Sequence, residues 1–155
     1  RLPRLALQTF LNPSLKWLTW YGRGPQENYR DRRNSAFMGV FSSDVYDMKE
    51  DYVRAQSMGE RTDAKWIVFK DDNGKGIKIT APEGIDFSAL HYTDKDLWTV
   101  KYGHDTDDVL RREIVLNLDC IQRGIGNASC GPQPRPEYEI ASEAEYTFSF
   151  RIEPL

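Results

Sequence analysis

A chain of 155 residues is one domain's worth of polypeptide and is long enough to bury a core. Its net charge of −3, with 29% charged residues, argues against a nucleic-acid partner. No apolar run reaches membrane-spanning length, so no membrane partner is expected either.

The chain begins RLPRLALQTF, without Met and already strand-like, and reads as a piece of a longer protein. Residues 5–11 (LALQTFL) and 15–22 (LKWLTWYG) read as strands, joined by an Asn12-Pro13-Ser14 turn. The second of these runs into WYGRGPQENYRDRR, residues 20–33, which packs glycines, a proline, a carboxylate, an amide and several arginines into one stretch. Residues 42–52 (SSDVYDMKEDY) suggest a short helical turn. The runs WIVFK and GIKIT flank DDNGKG, and Asn73-Gly74 between apolar segments is a hairpin signal. Thr93-Asp94-Lys95-Asp96 has the spacing of a capping box, with Asp in the place of Glu. REIVLNLD, residues 112–119, is a buried strand. GIGNASCGP, residues 124–132, is a second Gly-rich loop, running into a stiff, irregular Pro-rich connection over Gly131 to Pro136. EYTFSFRIE, residues 145–153, alternates strictly and predicts a strand with one apolar face. Many short strands with turns between them predict an all-β fold, an antiparallel β-sandwich.

Glu27 is the one acidic candidate inside the first loop motif apart from Asp31. Glycoside hydrolysis would need a second carboxylate about 5–9.5 Å away, and nothing in the sequence brings Asp31 to that place. A structural role for Glu27 is therefore the favoured reading, as is a clamp role for Asp31 and Arg32 over direct sugar binding. Alternation sends one of Trp20 and Tyr21 inward to the core; the outward one could stack on a sugar. His91 and His104 are the only histidines and read as surface or hydrogen-bonded residues. Cys120 and Cys130 are too few for a disulfide scaffold and lack zinc-site spacing. They read as free thiols, with a Cys120–Cys130 bridge as the lesser alternative. No basic neighbour activates Cys130 as a nucleophile.

Four segments occur in an order that carries a resemblance: WYGRGPQENYRDR, GERTDAKW (59–66), DFSALHYTDKDL (86–97) and LNLDCIQRGIGNASCGP (116–132). Together they resemble the C-terminal small-chain domain of the large β-galactosidases of glycoside hydrolase family 2. The resemblance covers nearly the whole chain. It implies a supersandwich related to galactose mutarotase, of which this chain would be the later part. It implies an accessory role, inactive in isolation. The two catalytic glutamates of a retaining galactosidase, and any metal ions, would sit in a separate (β/α)8 barrel, so neither catalytic residue nor cofactor is assigned to this chain.

By the same resemblance, Gly24, Pro25, Gln26, Glu27, Asn28, Tyr29, Asp31 and Arg32 form a substrate-cleft loop that shapes or gates a galactose pocket. Ser129 and Cys130 fall on the aglycone side, where well-known members carry a stacking Trp at the position of Cys130. Ala55-Gln56-Ser57 departs from the family's PQE. The implied partners are a galactoside, the other domains of the polypeptide and, through open sheet edges, a homo-oligomer. The competing readings are a free-standing carbohydrate-binding module of the same fold and a mutarotase-like epimerase using His91 or His104.

Overall fold

The computed structural model describes residues 2–125 and 131–155. Seven strands form one connected antiparallel sheet: β1 (Arg4–Leu11), β2 (Trp17–Gly24), β3 (Phe37–Asp44), β4 (Arg61–Lys70), β5 (Gly76–Leu90), β6 (Ile114–Gln122) and β7 (Arg151–Pro154). The spatial order is β1-β6-β5-β4-β2-β3, with β7 added alongside β5. The chain is thus all-β and antiparallel, of the sandwich class that its strand pattern predicts.

The sheet closes over a core because its two longest strands are interrupted. The pairing of β4 with β5 shifts register between Arg61 and Ala64 and again between Ala64 and Trp66. Such bulges bend a strand and increase its twist. The first part of β5 pairs with the end of β4 and with β7; its last part pairs with β6. Apolar residues of β2 and β4 (Leu18, Trp20, Ile67, Phe69) share a single buried cluster with Phe87, Ala89, Leu116 and Leu118 from the other half. Trp20 meets Phe87 edge-on, with ring centroids 6.0 Å apart, and Phe41 at 5.5 Å.

Local chemistry sets the connections. Asp71 accepts the backbone N–H groups of Asn73 and Lys75, and Gly74 takes φ +80°, so the predicted Asn-Gly turn forms and joins β4 to β5. The single α-helix among the described residues, α1 (Asp94–Thr99), has the expected capping box. Thr93 N–H donates to Asp96 at 2.8 Å, and Asp96 N–H donates to Thr93 Oγ1 at 3.1 Å.

Two expectations shift. The segment read as a helical turn at 42–52 stays extended to Asp44, and only Val45–Met48 forms a 3-10 turn, capped by the Asp44 carboxylate. The alternating run 145–153 is a paired strand only from Arg151. Phe150 packs against the core, but Phe148 and Ile152 remain exposed, so alternation here does not coincide with a fully covered face.

Phe87, with no exposed surface at all, fills the meeting point of the two halves. Phe87→Ala is expected to cost about 3–5 kcal/mol, read as a lowered urea midpoint with the m-value retained.

Candidate functional site

The first loop motif is an arm that leaves β2 at Gly24 and returns to β3 at Phe37. It opens with a cis Gly24–Pro25 peptide. Gly24 is required by space, because a Cβ there would lie 2.8 Å from the Phe41 ring.

Its polar residues turn inward. Glu27 is buried, and four donors reach its carboxylate: Tyr29 Oη at 3.0 Å, the Gly59 N–H at 2.9 Å, Arg32 Nη2 at 3.5 Å and Tyr52 Oη. A carboxylate so surrounded has its acceptor sites occupied and no exposed face from which to move a proton. Asn28 is fully buried. Its N–H donates to the Glu60 carbonyl at 2.8 Å, its amide NH2 donates to the Gln26 carbonyl at 3.1 Å, and its Oδ1 accepts from both the N–H and the hydroxyl of Thr62. Arg61 Nε donates to the Pro25 carbonyl at 3.0 Å, and its guanidinium lies over the Trp20 ring. At the stem, Arg23 Nε donates to Asp63 at 2.6 Å. The arm is therefore fastened along its length to residues 59–63, the run that leads into β4.

What faces outward is Pro25, Gln26 and residues 32–35, with Asp31 half-buried. The Arg32 side chain is 41% exposed and lies over the Tyr29 ring. Asp31 and Arg32 line an open cleft of about 570 Å³ together with Pro132, Gln133, Pro134, Arg135 and Tyr138. The structure thus brings the arm to the region that follows the second Gly-rich loop. Gly124 makes the contact close: a Cβ there would fall 2.8 Å from the Asp31 carboxyl carbon and 2.9 Å from Tyr138 Cβ. Arg123 holds the far wall, donating to both Glu139 oxygens at 2.7 and 2.9 Å and to Gln133. Ser129 and Cys130 lie outside the described residues.

Other candidates fall elsewhere. Trp20 is the inward aromatic. Tyr21 is 37% exposed and tilts against Trp66 at 6.3 Å, away from the cleft-lining residues. His91 Nδ1 contacts the Glu113 carbonyl, and His104 stacks on Tyr102; neither lines the cleft. Cys120 is a free thiol whose ionisation is suppressed by burial and by the nearby Asp86 and Asp119. Among the described residues, no three of His, Cys, Asp and Glu are grouped to hold a metal ion.

The sequence reading missed a polar layer beneath the arm's anchor. Arg4 donates to both oxygens of buried Asp119 at 2.7 Å, to Glu60 at 3.1 Å and to Asp94 at 3.2 Å. Asn117 links the layer sideways to Gln8 and Ser88. Burial pushes Asp119 up to about 6 despite Arg4, and loss of hydration pushes Asp86 up to about 7. Burial, with Asp119 nearby, also raises Glu60 well above the usual carboxylate range. One signal was present: residues 60–63 are all polar, immediately ahead of the apolar β4 run.

Comparison with known proteins adds a family. The model for the beta-galactosidase small chain matches residues 1–152. A beta-galactosidase of Priestia megaterium is 29% identical over 155 residues, covering 99% of this chain and 15% of the relative. One from Halalkalibacterium halodurans is 31% identical over 154 residues, covering 98% of this chain and 15% of the relative. One from Kluyveromyces lactis is 28% identical over 162 residues, covering 97% of this chain and 14% of the relative. The chain spans about 15% of the length of the bacterial relatives it matches.

The raised carboxyls give a signed pH dependence. Between the ordinary carboxylate pKa near 4 and about 6 for Asp119 and about 7 for Asp86, the folded chain retains protons that the unfolded chain has released. Stability is expected to fall as pH rises through that window, by about 1.4 kcal/mol for each pH unit over which one of these carboxyls stays protonated beyond its ordinary range. Asp96, held low by Arg111, acts only below the window. Thermal unfolding from pH 4.5 to 7.5 measures the slope, and Asp86→Asn is expected to flatten it.

Proposed function

The chain belongs to the beta-galactosidase small chain family, and from that premise we propose that it is an accessory domain that completes the substrate cleft of a galactosidase without performing the chemistry. The whole protein would be a retaining enzyme of glycoside hydrolase family 2 that hydrolyses terminal β-D-galactosides. This chain would be its C-terminal small-chain domain, and the acid/base and nucleophile glutamates would lie in another domain.

The observation that carries this reading is the state of Glu27. The loop's best acid is buried at 4% exposure and occupied by four donors, so it builds the arm and does not serve a substrate. The acids that do gather, Glu60 and Asp119, share the Arg4 guanidinium in the interior and are not a carboxylate pair flanking a cleft. The groups that line the cleft, and would meet a sugar there, are Asp31 and Arg32 from the arm, with Gln133 and Arg135 opposite. Carboxylate and guanidinium groups side by side suit neighbouring sugar hydroxyls, one accepting and the other donating. Gly24, Pro25 and Gln26 would form the arm's entry. Glu27, Asn28 and Tyr29 would set its shape, and Ser129 and Cys130 would approach the aglycone. Movement of the rim would gate access while the buried root stays fastened.

The isolated chain is expected to show no hydrolysis of a chromogenic β-galactoside. In the full-length protein, Arg32→Ala is expected to raise KM by about tenfold or more, the loss of one charged hydrogen bond, with kcat less affected. Turnover by the isolated chain that disappears in Glu27→Gln would overturn the accessory reading.

A further inference from the structure

Asp63 stands apart in this fold. Among the described residues it is the one non-glycine with positive φ, at 60°. It occupies the register shift between Arg61 and Ala64, where β4 leaves its ladder with β5. Asp and Asn enter this left-handed region more readily than other residues with a side chain, at a cost of about 1 kcal/mol. A residue held there needs a reason, and its surroundings supply one.

The Asp63 carboxylate faces the two ends of the arm at once. Arg23, the last residue before Gly24, donates to it through Nε at 2.6 Å. Arg33, on the returning side, lies 3.7 Å from the same oxygen. Arg23 then bridges onward, its Nη1 donating to the Ala36 carbonyl at 3.0 Å and reaching the Arg33 carbonyl at 3.5 Å. One carboxylate and one guanidinium thereby tie the outgoing strand to the returning chain. The backbone beneath is fixed too, because the Asp63 N–H donates to Asp86 Oδ1 at 3.0 Å. Only the left-handed turn at Asp63 combines these two directions: N–H inward to β5, carboxylate outward to the arm.

We propose that Asp63 is a positioning residue for the substrate cleft: by closing the arm at its stem through Arg23 and Arg33, it sets where Asp31 and Arg32 stand relative to the opposite wall. This rests on the reading of the arm as a cleft rim. Asp63 does not touch the cleft, since it is absent from the residues lining it. Its effect passes through the arm.

Three substitutions in the full-length protein separate the effects. Asp63→Gly keeps the left-handed backbone without strain and removes the carboxylate. Asp63→Asn keeps both the backbone and an acceptor for Arg23. Arg23→Gln removes the donor and leaves Asp63 in place. With a chromogenic β-galactoside, Asp63→Gly is expected to raise KM about tenfold. Asp63→Asn should stay within about threefold of the unsubstituted protein. Arg23→Gln should reproduce the Asp63→Gly effect, and the double substitution should add little to it. Hydrogen exchange at the amides of residues 26–36 is expected to speed up in Asp63→Gly and Arg23→Gln alike. Unchanged KM and kcat in both variants would overturn the proposal, whatever happens to their melting temperatures. If Asp63→Gly does not fold, Arg23→Gln alone decides. Absence of galactosidase activity in the unsubstituted full-length protein would remove the functional reading instead. Hydrogen exchange would still test the stem closure, and unaltered exchange at 26–36 would overturn it.

Discussion

The structure depends on a short stretch of backbone that fails to stay in its ladder. At the start of β4 the chain slips register twice against β5, and Thr62 and Asp63 fall between the paired residues Arg61 and Ala64. Backbone groups taken from a ladder must find partners elsewhere. Here, and just ahead of the strand, most of them find the arm. Gly59 N–H goes to Glu27, the Glu60 carbonyl to Asn28, Thr62 N–H to Asn28 and Asp63 N–H to Asp86. The irregularity of β4 and the order of the arm are two sides of one set of hydrogen bonds. The same irregularity coils the sheet, so that Trp20 meets Phe87 and the core closes.

This arrangement explains why so polar a loop is so buried. A lone ionised carboxylate in the interior is costly, and a fully hydrogen-bonded one is tolerated. Glu27 is satisfied by one backbone N–H, two tyrosine hydroxyls and a guanidinium. Removing any one of these leaves a buried acceptor short of a partner, which costs more than the bond itself contributes. Each member of the motif is therefore tied to the others, and the arm behaves as one body with a few outward-facing groups.

Below the arm, Arg4 neutralises Asp119 and Glu60 and reaches Asp94 at the start of α1. Glu60 belongs to both systems: its carbonyl holds Asn28 and its carboxylate holds Arg4. The buried charge layer and the cleft rim are thus joined through a single residue. Burying these acids depresses their ionisation, so the layer under the rim is sensitive to pH in the range where its carboxyls exchange protons.

Much of the fold was legible from residues near one another in the chain. The Asn73-Gly74 hairpin, the Thr93–Asp96 capping box, the alternation of β2 and the buried run of β6 are all local preferences written in adjacent residues. The motif order pointed to the family, and the loop at residues 20–33 was marked as special by composition. The segment 145–150 misled because alternation records which residues could share a face, not whether another layer covers it. The roles of Gly59, Thr62, Asp63 and Arg4 could not be read in advance. Their partners lie 23 to 115 residues away. The sequence by itself determined the strand class, the turns and the unusual chemistry of the arm, because periodicity and turn preference act over a few residues. Only the tertiary structure decided that Glu27 is a buried anchor and that Arg32 is exposed, with Asp31 half-buried beside it. That division follows from which side of a bulged strand the arm lands on, and non-local hydrogen bonds set it.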